Sequence, residues 1–346
     1  MRLTRGWLLA LLCLLLGLAG CGREPLVQNR SYVFGTLVDI SIYGESEERA
    51  QALTSQVLAE FQRLHDSLHA WQPSELSRLN DAVAAGQGAA VSPELETILT
   101  DAARLSAQSD GLFNPAIGQV IKLWGFQSDE FVPQHPDPAR IAELVAAAPG
   151  MADITVENGR VASRNPAVKL DLGGYAKGYA LDRALAILRA AKVQGALVNI
   201  GGNIIALGKH GDQPWRIGIQ HPRQPGPIAT LELADGWAIG TSGDYQRFFL
   251  LDGKRYCHII DPRSGVPVQG VQAVTVLIPP GPQAGTLSDV ASKPIFINAP
   301  QWRETARRTG VANVMLIDAQ GRVQLTQAMR ERLQFVDQNV KLEVVP

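Results

Sequence analysis

The sequence has 346 residues, with 32 Lys and Arg against 33 Asp and Glu and a formal net charge of −1. Because no basic stripe accompanies this balance, the composition argues against a nucleic-acid-binding protein. The length allows one large domain or two.

The first residues have the pattern of a secretory signal. Arg2 and Arg5 precede an apolar run that ends at Leu18-Ala19-Gly20-Cys21, and this run is too short to span a bilayer comfortably. A Cys directly after Leu-Ala-Gly is typical of bacterial lipoproteins. We therefore expect a signal peptide over residues 1–20 and a lipid anchor on Cys21, on the periplasmic side of a bacterial membrane. The sequence does not distinguish the inner membrane from the outer one.

The rest of the chain reads as helices and strands without internal repeats or low-complexity linkers. We interpret residues 21–30 as a polar tether and residues 31–346 as a single compact unit of two packed lobes. Strands are predicted at 31–43, 215–219, 229–233 and 272–278, and a further strand at 196–200 should continue through 204–207. Hairpins are predicted at 154–161, 248–260 and 314–325. Helices are predicted at 46–64, 92–110, after 137, 287–294 and 301–309. Residues 238–245 read as a tight turn, and Pro294 should kink or stop its helix. The predicted fold class is α+β with mixed and antiparallel sheets.

The stretch around which the chain is organised runs from Val168 to Ala180. A short β-prone run ends at Asp171, turns at Gly173-Gly174 and opens a helix that carries Lys177 in its first turns. Backbone N–H groups behind glycines and a nearby cation suit an anion. Asp171 suits a phosphate held through a metal, or a sugar or base N–H. A plain turn with a solvated Lys explains the same residues, and neither GxxxxGK[ST] nor GxGxxG is present.

Seven stretches resemble, in the same order, the ApbE family of FAD:protein FMN transferases, and they span nearly all of the mature chain. They are FGT at 34–36, SELSRLN at 74–80, GLFNP at 111–115 with LWGF at 123–126, DLGGYAKG at 171–178, NIGGN at 199–203, TSGDY at 241–245 and HIIDPRSG at 258–265. One such motif is weak evidence, whereas seven in order are specific. The resemblance implies a fold related to the T-fold, with a cofactor cleft between the two lobes.

The resemblance also implies a reaction. FAD would be cut at its pyrophosphate, FMN would pass to a Ser or Thr hydroxyl of a periplasmic acceptor protein through a phosphoester bond, and AMP would be released. The implied partners are this acceptor, in a respiratory or electron-transfer membrane complex, and the membrane itself through Cys21. One alternative is a Mg-dependent FAD pyrophosphatase, and another is a non-catalytic periplasmic flavin-binding lipoprotein. The sequence identifies neither the acceptor nor the oligomeric state.

Roles for particular residues follow from the matched motifs. The implied catalytic residues are His258 and Asp289, with His258 as the base, because a neutral imidazole near pH 7 can accept a hydroxyl proton. A hydrogen bond from His258 to Asp261 or Asp244 is the structural alternative. The implied FAD contacts are Phe34, Trp71, Leu112, Phe113, Asn114, Asp171, Lys177 and Ile260. Core packing is the competing role for the aromatic residues among them, and the other five His residues read as ordinary surface or loop residues.

The implied metal site is where the sequence departs from the family pattern. The family commonly holds Mg²⁺ with a backbone carbonyl of the Asp-Leu-Gly-Gly turn, here that of Gly174, and with a helical Asp-x-x-[Ser/Asp]-Thr. Here that motif supplies Asp289 and Ser292, followed by Lys293 where Thr is usual. A protonated Lys cannot ligate a metal and repels one. Either Lys293 turns away and Mg²⁺ still binds, or its ammonium partly replaces the charge of the ion, and the sequence leaves both open.

Overall fold

The computed structural model describes residues 25–128, 130–337 and 340–345. The predicted signal peptide and Cys21 lie outside these residues. The helices are α1 Glu47–Leu68, α2 Glu75–Ala84, α3 Pro93–Gln108, α4 Gly118–Leu123, α5 Pro138–Ala146, α6 Ala176–Ala190, α7 Ala284–Ile297, α8 Trp302–Arg308 and α9 Gln327–Arg330. None of the helices in this part of the chain is both long enough and apolar enough to cross a membrane.

The strands are β1 Leu26–Val33, β2 Thr36–Tyr43, β3 Ala89–Ala90, β4 Ile154–Glu157, β5 Arg160–Ser163, β6 Gly195–Ile200, β7 Asn203–Gly208, β8 Trp215–Gln220, β9 Pro227–Leu233, β10 Ala238–Gly243, β11 Phe248–Leu251, β12 Lys254–Cys257, β13 Ile260–Asp261, β14 Val266–Pro267, β15 Val271–Ile278, β16 Asn313–Asp318, β17 Val323–Thr326, β18 Gln334–Phe335 and β19 Leu342–Val345. A nine-stranded sheet runs in the order β1-β2-β6-β7-β10-β15-β16-β17-β19. Its pairs are antiparallel except for the parallel pair of β17 and β19. The predicted α+β class with mixed and antiparallel sheets is confirmed.

Two layers cover the faces of this large sheet. On one face, α1, α6 and α7 bury a core that includes Phe61, Leu181 and Phe296. On the other face, the three-stranded sheet β18-β9-β8 packs its apolar side chains, such as Leu231, against the sheet. Since both faces are covered, every residue of the central strand β15 is buried, and its apolar residues occur on both faces instead of alternating with exposed polar ones.

Helices α6 and α7 cross at unusually short range because glycines meet at the crossing. A Cβ added to Gly178 would lie 2.5 Å from the carbonyl oxygen of Gly285 and 2.7 Å from Cβ of Asp289. No side chain of α7 caps its own N-terminus. Instead, Asp182 of α6 accepts hydrogen bonds from the backbone N–H groups of Gly285 and Thr286, at 2.7 and 2.8 Å. The crossing therefore fixes the side chains that α7 carries relative to the start of α6.

Two hairpins replace strands that were predicted as continuous. Residues 31–43 form the end of β1, a two-residue turn and β2, and the expected tether is already in β1 from Leu26 onward. Phe34 and Gly35 occupy the turn with φ of 55° and 67°. Likewise, β6 does not continue through 204–207 but reverses at Gly201-Gly202, with φ of 58° and 94°. The first prediction was wrong because positive φ is rare for Phe, so that turn lacked a sequence signal. The second was wrong because it passed over Gly201-Gly202, a pair that readily adopts positive φ in a tight turn.

Three further local predictions were wrong for related reasons. Residues 238–243 form strand β10, because small residues suit a central strand that α7 approaches closely: a Cβ on Gly240 would lie 2.1 Å from the carbonyl oxygen of Ser288. The run before Asp171 makes only an isolated bridge, between Lys169 and Ile117. Helix α7 continues past Pro294 to Ile297. A helical proline removes a single N–H donor, and a buried helix keeps its packing on both sides of that position.

Candidate active site

A cavity of about 560 Å³ opens at one end of the large sheet. Because β2 begins where β6 ends, in the register Val38 to Ile200, the hairpin tips at Phe34-Gly35 and Gly201-Gly202 lie side by side at this end. The tips are in close contact, since a Cβ on Gly201 would lie 2.6 Å from Oγ1 of Thr36. The N-terminus of α6, the later part of α7 and the segments after β10 and β12 complete the walls. The cavity is therefore built from parts that are far apart in sequence.

One wall of the cavity is a series of aromatic rings. The Phe34 ring lies 5.7 Å from that of His65, His65 lies 4.9 Å from His69, and His69 lies 4.5 Å from Trp71, in edge-to-face arrangements. Phe34 and Trp71 are half-buried, so each ring keeps part of its surface in the cavity. Phe34 holds a φ that is costly for a residue with a side chain, which is common where a side chain must face a ligand.

A second part of the cavity wall, here called its cationic end, carries cations. Lys177, Arg247 and Lys293 all line it. Nζ of Lys177 donates to the carbonyl oxygen of Gly173 at 3.1 Å, so the first turn of α6 holds it at the glycine turn. A guanidinium nitrogen of Arg247 donates to the carbonyl oxygens of Phe126 and Ser128 at 3.0 and 3.2 Å. Three cations at one end of a half-enclosed cavity attract an anionic group strongly.

Asp289 lies beneath these cations at the helix crossing and is 1% exposed. Its Oδ1 accepts from Nζ of Lys293 at 2.5 Å, its Oδ2 accepts from the backbone N–H of Gly178 at 3.0 Å, and Nζ of Lys177 lies 3.9 Å from Oδ2. Burial alone would raise the pKa of Asp289, but the charges of Lys177 and Lys293 and the two hydrogen bonds hold it below its usual value. Burial lowers the pKa of Lys293, and Asp289 opposes that effect. Asp289 and Lys293 therefore form a buried ion pair.

The donors around this pair do not fit a magnesium ion. Both carboxylate oxygens of Asp289 are already bonded. The hydroxyl of Ser292 lies 2.9 Å from the carbonyl oxygen of Asp289 and 2.8 Å from the hydroxyl of Ser242. Across 25–128, 130–337 and 340–345, no group of three or more His, Cys, Asp or Glu side chains could hold a metal. Within the predicted ligand set, Asp289 is therefore bonded to an ammonium group, Ser292 is bonded to other protein groups, and the stem of Lys293 lies beside Gly174, which does not suit Mg²⁺.

His258 lines the cavity from the segment between β12 and β13, near the cations. Its Nδ1 lies 3.2 Å from the backbone carbonyl oxygen of Arg247. Because a carbonyl oxygen only accepts, this contact assigns the proton to Nδ1 and leaves Nε2 as the unprotonated nitrogen. Burial, and after it the charges of Arg247, Lys177 and Lys293, lowers the pKa of His258 to about 3. The imidazole is therefore neutral at physiological pH.

The structural alternative for His258 does not occur, because the two nearby carboxylates have other partners. Asp244 forms a two-point ion pair with Arg223, with contacts of 2.6 and 2.7 Å, and Asp261 pairs with Arg263 at 2.8 Å. His258 has the ring contacts of a positioned side chain, with Phe126 at 6.5 Å. The geometry leaves its Nε2 available for a proton from a bound molecule.

Two predicted contacts with FAD already have partners within the protein. Oδ1 of Asp171 accepts from the backbone N–H of Gly173 at 2.9 Å, and Oδ2 accepts from the amide of Gln127 at 3.0 Å. The amide of Asn114 donates to the carbonyl oxygen of Pro149 at 2.9 Å and accepts from the backbone N–H of Ala116 at 3.0 Å. Both residues line the cavity. They shape its wall, and Asp171 in addition presents a negative charge next to Lys177.

The structure brings most of the predicted residues together around the cavity. Those that line it are Phe34, Trp71, Leu112, Phe113, Asn114, Asp171, Gly174, Lys177, His258 and Ile260. Asp289 and Ser292 lie behind Lys293, at the helix crossing. The sequence interpretation missed His65 and His69, which read as ordinary surface or loop residues but line the cavity. His65 in the last turn of α1 and His69 directly after the helix are four residues apart and are followed by Trp71, and this spacing was the signal that could have identified them.

Comparison with protein families gives one match over most of the chain. The ApbE family model matches residues 34–316. A protein named FAD:protein FMN transferase from Rhodobacter capsulatus is 41% identical over 314 residues, which is 90% of this chain and 59% of that protein. The chain thus spans about three fifths of the length of that relative. A protein of the same name from Treponema pallidum is 33% identical over 304 residues, which is 80% of this chain and 82% of that one.

Solved structures give the same match. The crystal structure of the ApbE protein from Thermotoga maritima has a TM-score of 0.80 and 29% identity, covering 89% of this chain and 99% of that one. The apo form of the flavinyl transferase ApbE from Pseudomonas stutzeri has a TM-score of 0.77 and 28% identity, covering 90% of this chain and 98% of that one. Both likenesses thus cover about nine tenths of this chain.

Proposed function

Because this chain belongs to the ApbE family, we propose that it is an FAD:protein FMN transferase, which moves FMN from FAD to a Ser or Thr hydroxyl of an acceptor protein and releases AMP. The observation that carries this proposal is the cavity itself, whose wall combines aromatic rings, a cluster of cations and a neutral imidazole. FAD has the same division, since planar rings flank a doubly charged pyrophosphate. Relatives of that name supply the reaction, and the cavity supplies the matching chemistry.

The cationic end has the charge that the pyrophosphate needs. Lys177, Arg247 and Lys293 would neutralise the two negative charges of bound FAD and the charge that develops on the AMP leaving group. Lys177 and Lys293 are each held by hydrogen bonds within the protein, so they require little rearrangement when the substrate binds. The aromatic wall would hold the flavin or adenine ring by stacking, which leaves the phosphorus atoms at the cationic end.

His258 would act on the acceptor and not on FAD. The acceptor hydroxyl attacks the phosphorus on the FMN side, a new P–O bond forms, the bridging P–O bond breaks, and AMP leaves with the bridging oxygen. The hydroxyl proton passes to Nε2 of His258, whose other nitrogen donates to the carbonyl oxygen of Arg247. The pyrophosphate also raises the basicity of the imidazole, because its negative charge opposes the cations that lower the pKa of His258.

Magnesium enters this proposal only as an ion that the resemblance implies. If it bound, it would polarise the phosphoryl oxygens. The residues at its expected place hold an ammonium group and leave no free carboxylate oxygen, so the steps above use only groups of the protein.

The cellular setting is likewise part of the proposal. We place the enzyme on the periplasmic side of a bacterial membrane, with a lipid anchor on Cys21 after removal of residues 1–20, because these residues have the charged, apolar and small-residue pattern of a lipoprotein signal. The proposed acceptor is a protein of a respiratory or electron-transfer membrane complex. Labelling intact cells with a lipid precursor, for the parent and for Cys21→Ala, tests the anchor, since only the parent should carry the lipid.

One experiment separates the proposed function from its alternatives. The purified protein is incubated with FAD and an acceptor domain, and the acceptor is weighed by mass spectrometry while AMP is measured in solution. We expect the acceptor to gain the mass of FMN less one water, with AMP released in equal amount. Free FMN and AMP on an unchanged acceptor would mean a pyrophosphatase, and intact FAD bound to the protein would mean a flavin-binding protein.

A further inference from the structure

The most unusual feature of the cavity is a lysine at the place where a metal ion was expected. Lys293 lies one turn after Asp289 on α7, and its side chain is 16% exposed while that of Asp289 is 1% exposed. A buried charge that loses its partner is strongly destabilising, so such groups occur in pairs. The ammonium contacts both the carboxylate and the backbone carbonyl oxygen of Asp289, at 2.5 and 2.7 Å. Lys293 therefore does not turn away to solvent.

The turn before α6 is shaped around the stem of this lysine. A Cβ on Gly174 would lie 2.9 Å from Cε and 3.1 Å from Cδ of Lys293. The same turn supplies the carbonyl that would ligate a metal, so the lysine stem fills the space beside it. The position of Lys293 is thus supported from two sides, by the carboxylate on α7 and by the glycine turn.

An ammonium group in this position retains a hydrogen-bond donor for a ligand. It has three N–H donors, and two of them point to the oxygens of Asp289. Among the residues that the structure describes, the third has no recorded protein acceptor. Since Lys293 lines the cavity next to Lys177, this third donor can bind an oxygen of the pyrophosphate.

Resting on the function proposed above, we propose that the ammonium of Lys293, anchored by Asp289, takes the place of the divalent cation. It binds the FAD pyrophosphate, adds to the charge of Lys177 and Arg247, and makes FMN transfer independent of Mg²⁺. Lys293 stays protonated throughout: it donates a hydrogen bond to a phosphoryl oxygen while the P–O bond to the acceptor forms and the bond to AMP breaks. The hydroxyl proton still goes to His258, so protons and charge balance without the metal.

The test compares metal binding in three proteins. Lys293→Thr removes the charge and supplies a hydroxyl, whereas Lys254→Thr makes the same change at the exposed first residue of strand β12 and serves as the control. Each protein, loaded with FAD, is titrated with Mn²⁺, and the free ion is followed by electron paramagnetic resonance. We expect Lys293→Thr to bind one Mn²⁺ at least about tenfold more tightly than the parent and the control, because a nearby positive charge is gone. Equal midpoints in the three proteins would overturn the proposal.

A second measurement uses transfer itself. The parent should attach FMN to the acceptor at rates within about twofold with and without EDTA, whereas Lys293→Thr should lose at least about tenfold in EDTA and recover with Mg²⁺. A parent that stops in EDTA and recovers with Mg²⁺ contradicts the proposal. If the parent transfers no FMN under either condition, the proposed function fails, and the Mn²⁺ titration alone decides the role of Lys293.

A third measurement guards against misfolding. The double variant Lys293→Met with Asp289→Asn removes both members of the pair, so no buried charge is left without a partner. We expect it to bind FAD about tenfold more weakly than the parent while its affinity for riboflavin, which has no pyrophosphate, stays within about twofold. An unchanged FAD affinity would show that Lys293 does not meet the pyrophosphate.

Discussion

The aromatic wall and the cationic end of the cavity are built in different ways. The aromatic wall comes from a hairpin tip and from the end of α1 with the loop that follows it, and its rings touch edge to face at 4.5 to 5.7 Å. The cationic end comes from the crossing of two helices, where glycines allow backbone contact, and from Arg247 after β10, and its hydrogen bonds are 2.5 to 3.2 Å long. The energy of a ring contact changes little when a ring moves slightly, whereas the energy of an ion pair or a hydrogen bond depends strongly on the position of its atoms.

This difference suggests a division of work. The wall should contribute binding energy that is spread over several rings, because stacking depends weakly on position. The cationic end and His258 should contribute mainly to the reaction step, because charge stabilisation in a half-enclosed site depends strongly on position. The predictions below test whether binding and chemistry separate along the cavity in this way.

The largest effect is expected for His258→Ala. Loss of the base should lower the rate of FMN transfer by about 10²–10⁴-fold, while FAD affinity stays within a few-fold, because the base acts on the acceptor proton and not on bound FAD. Transfer is measured by the mass of the acceptor, and FAD affinity by calorimetry. His135→Ala, which alters an exposed histidine paired with Asp252, is the control and should retain full activity. Near-native transfer by His258→Ala would remove the base from the mechanism.

A smaller effect is expected for Trp71→Ala, which alters the aromatic wall. Loss of one stacking ring should weaken FAD affinity by roughly tenfold, while the rate at saturating FAD stays within about threefold. Trp71→Phe keeps a ring against His69 and should lose less affinity. A variant that binds FAD normally but reacts slowly would show that this residue takes part in the chemistry and would break the proposed division.

The elements that could be predicted from sequence are those whose signals are local. Helix caps at Ser46, Ser74 and Ser92 and the hairpin at Asn158-Gly159 use side chains and glycines that identify themselves. The hairpin at Phe34 and the buried strand β10 could not be predicted in this way. A positive φ at Phe34 is fixed by the partner strands, and the small residues of β10 are explained only by the helix that packs against them.

The same contrast applies to the site. The matched motifs indicated most of the residues that line the cavity, because these lie in glycine-rich turns or near the ends of strands. Sequence could not decide between the two orientations of Lys293, since that choice depends on the distance between α6 and α7. It also missed His65 and His69, which face the cavity only because α1 runs past the hairpin tip.

A modest effect is expected for Asp171→Ala, which alters the turn before α6. The carboxylate fixes the turn before α6 through the N–H of Gly173, so its loss should weaken FAD affinity by about fivefold, equivalent to about 1 kcal/mol. Asp171→Asn keeps an acceptor oxygen and should lie closer to the parent. Calorimetry on the folded variants measures both. An unchanged affinity in Asp171→Ala would mean that this carboxylate is structural alone.

The smallest expected effect is that of pH on kcat/KM, which should stay nearly constant. Burial, and then the charges of Arg247, Lys177 and Lys293, lowers the pKa of His258 to about 3. A histidine with a lowered pKa is neutral at every pH above that value, so kcat/KM should not fall on the acid side near 6.5, as it would for an ordinary histidine. Between pH 5 and 8 we expect His258 to change kcat/KM by less than about twofold.

The ring resonances of His258 report the same property without a reaction. In the FAD-free protein they should not titrate between pH 5 and 8, and in Lys177→Gln their midpoint should move upward, because one of the charges that oppose protonation is gone. The midpoint should stay below the ordinary value, since burial, the largest cause, remains. A midpoint near 6.5 in the parent would show that neither burial nor the cations lower the pKa of His258. The cationic end would then not act on the base through its charge.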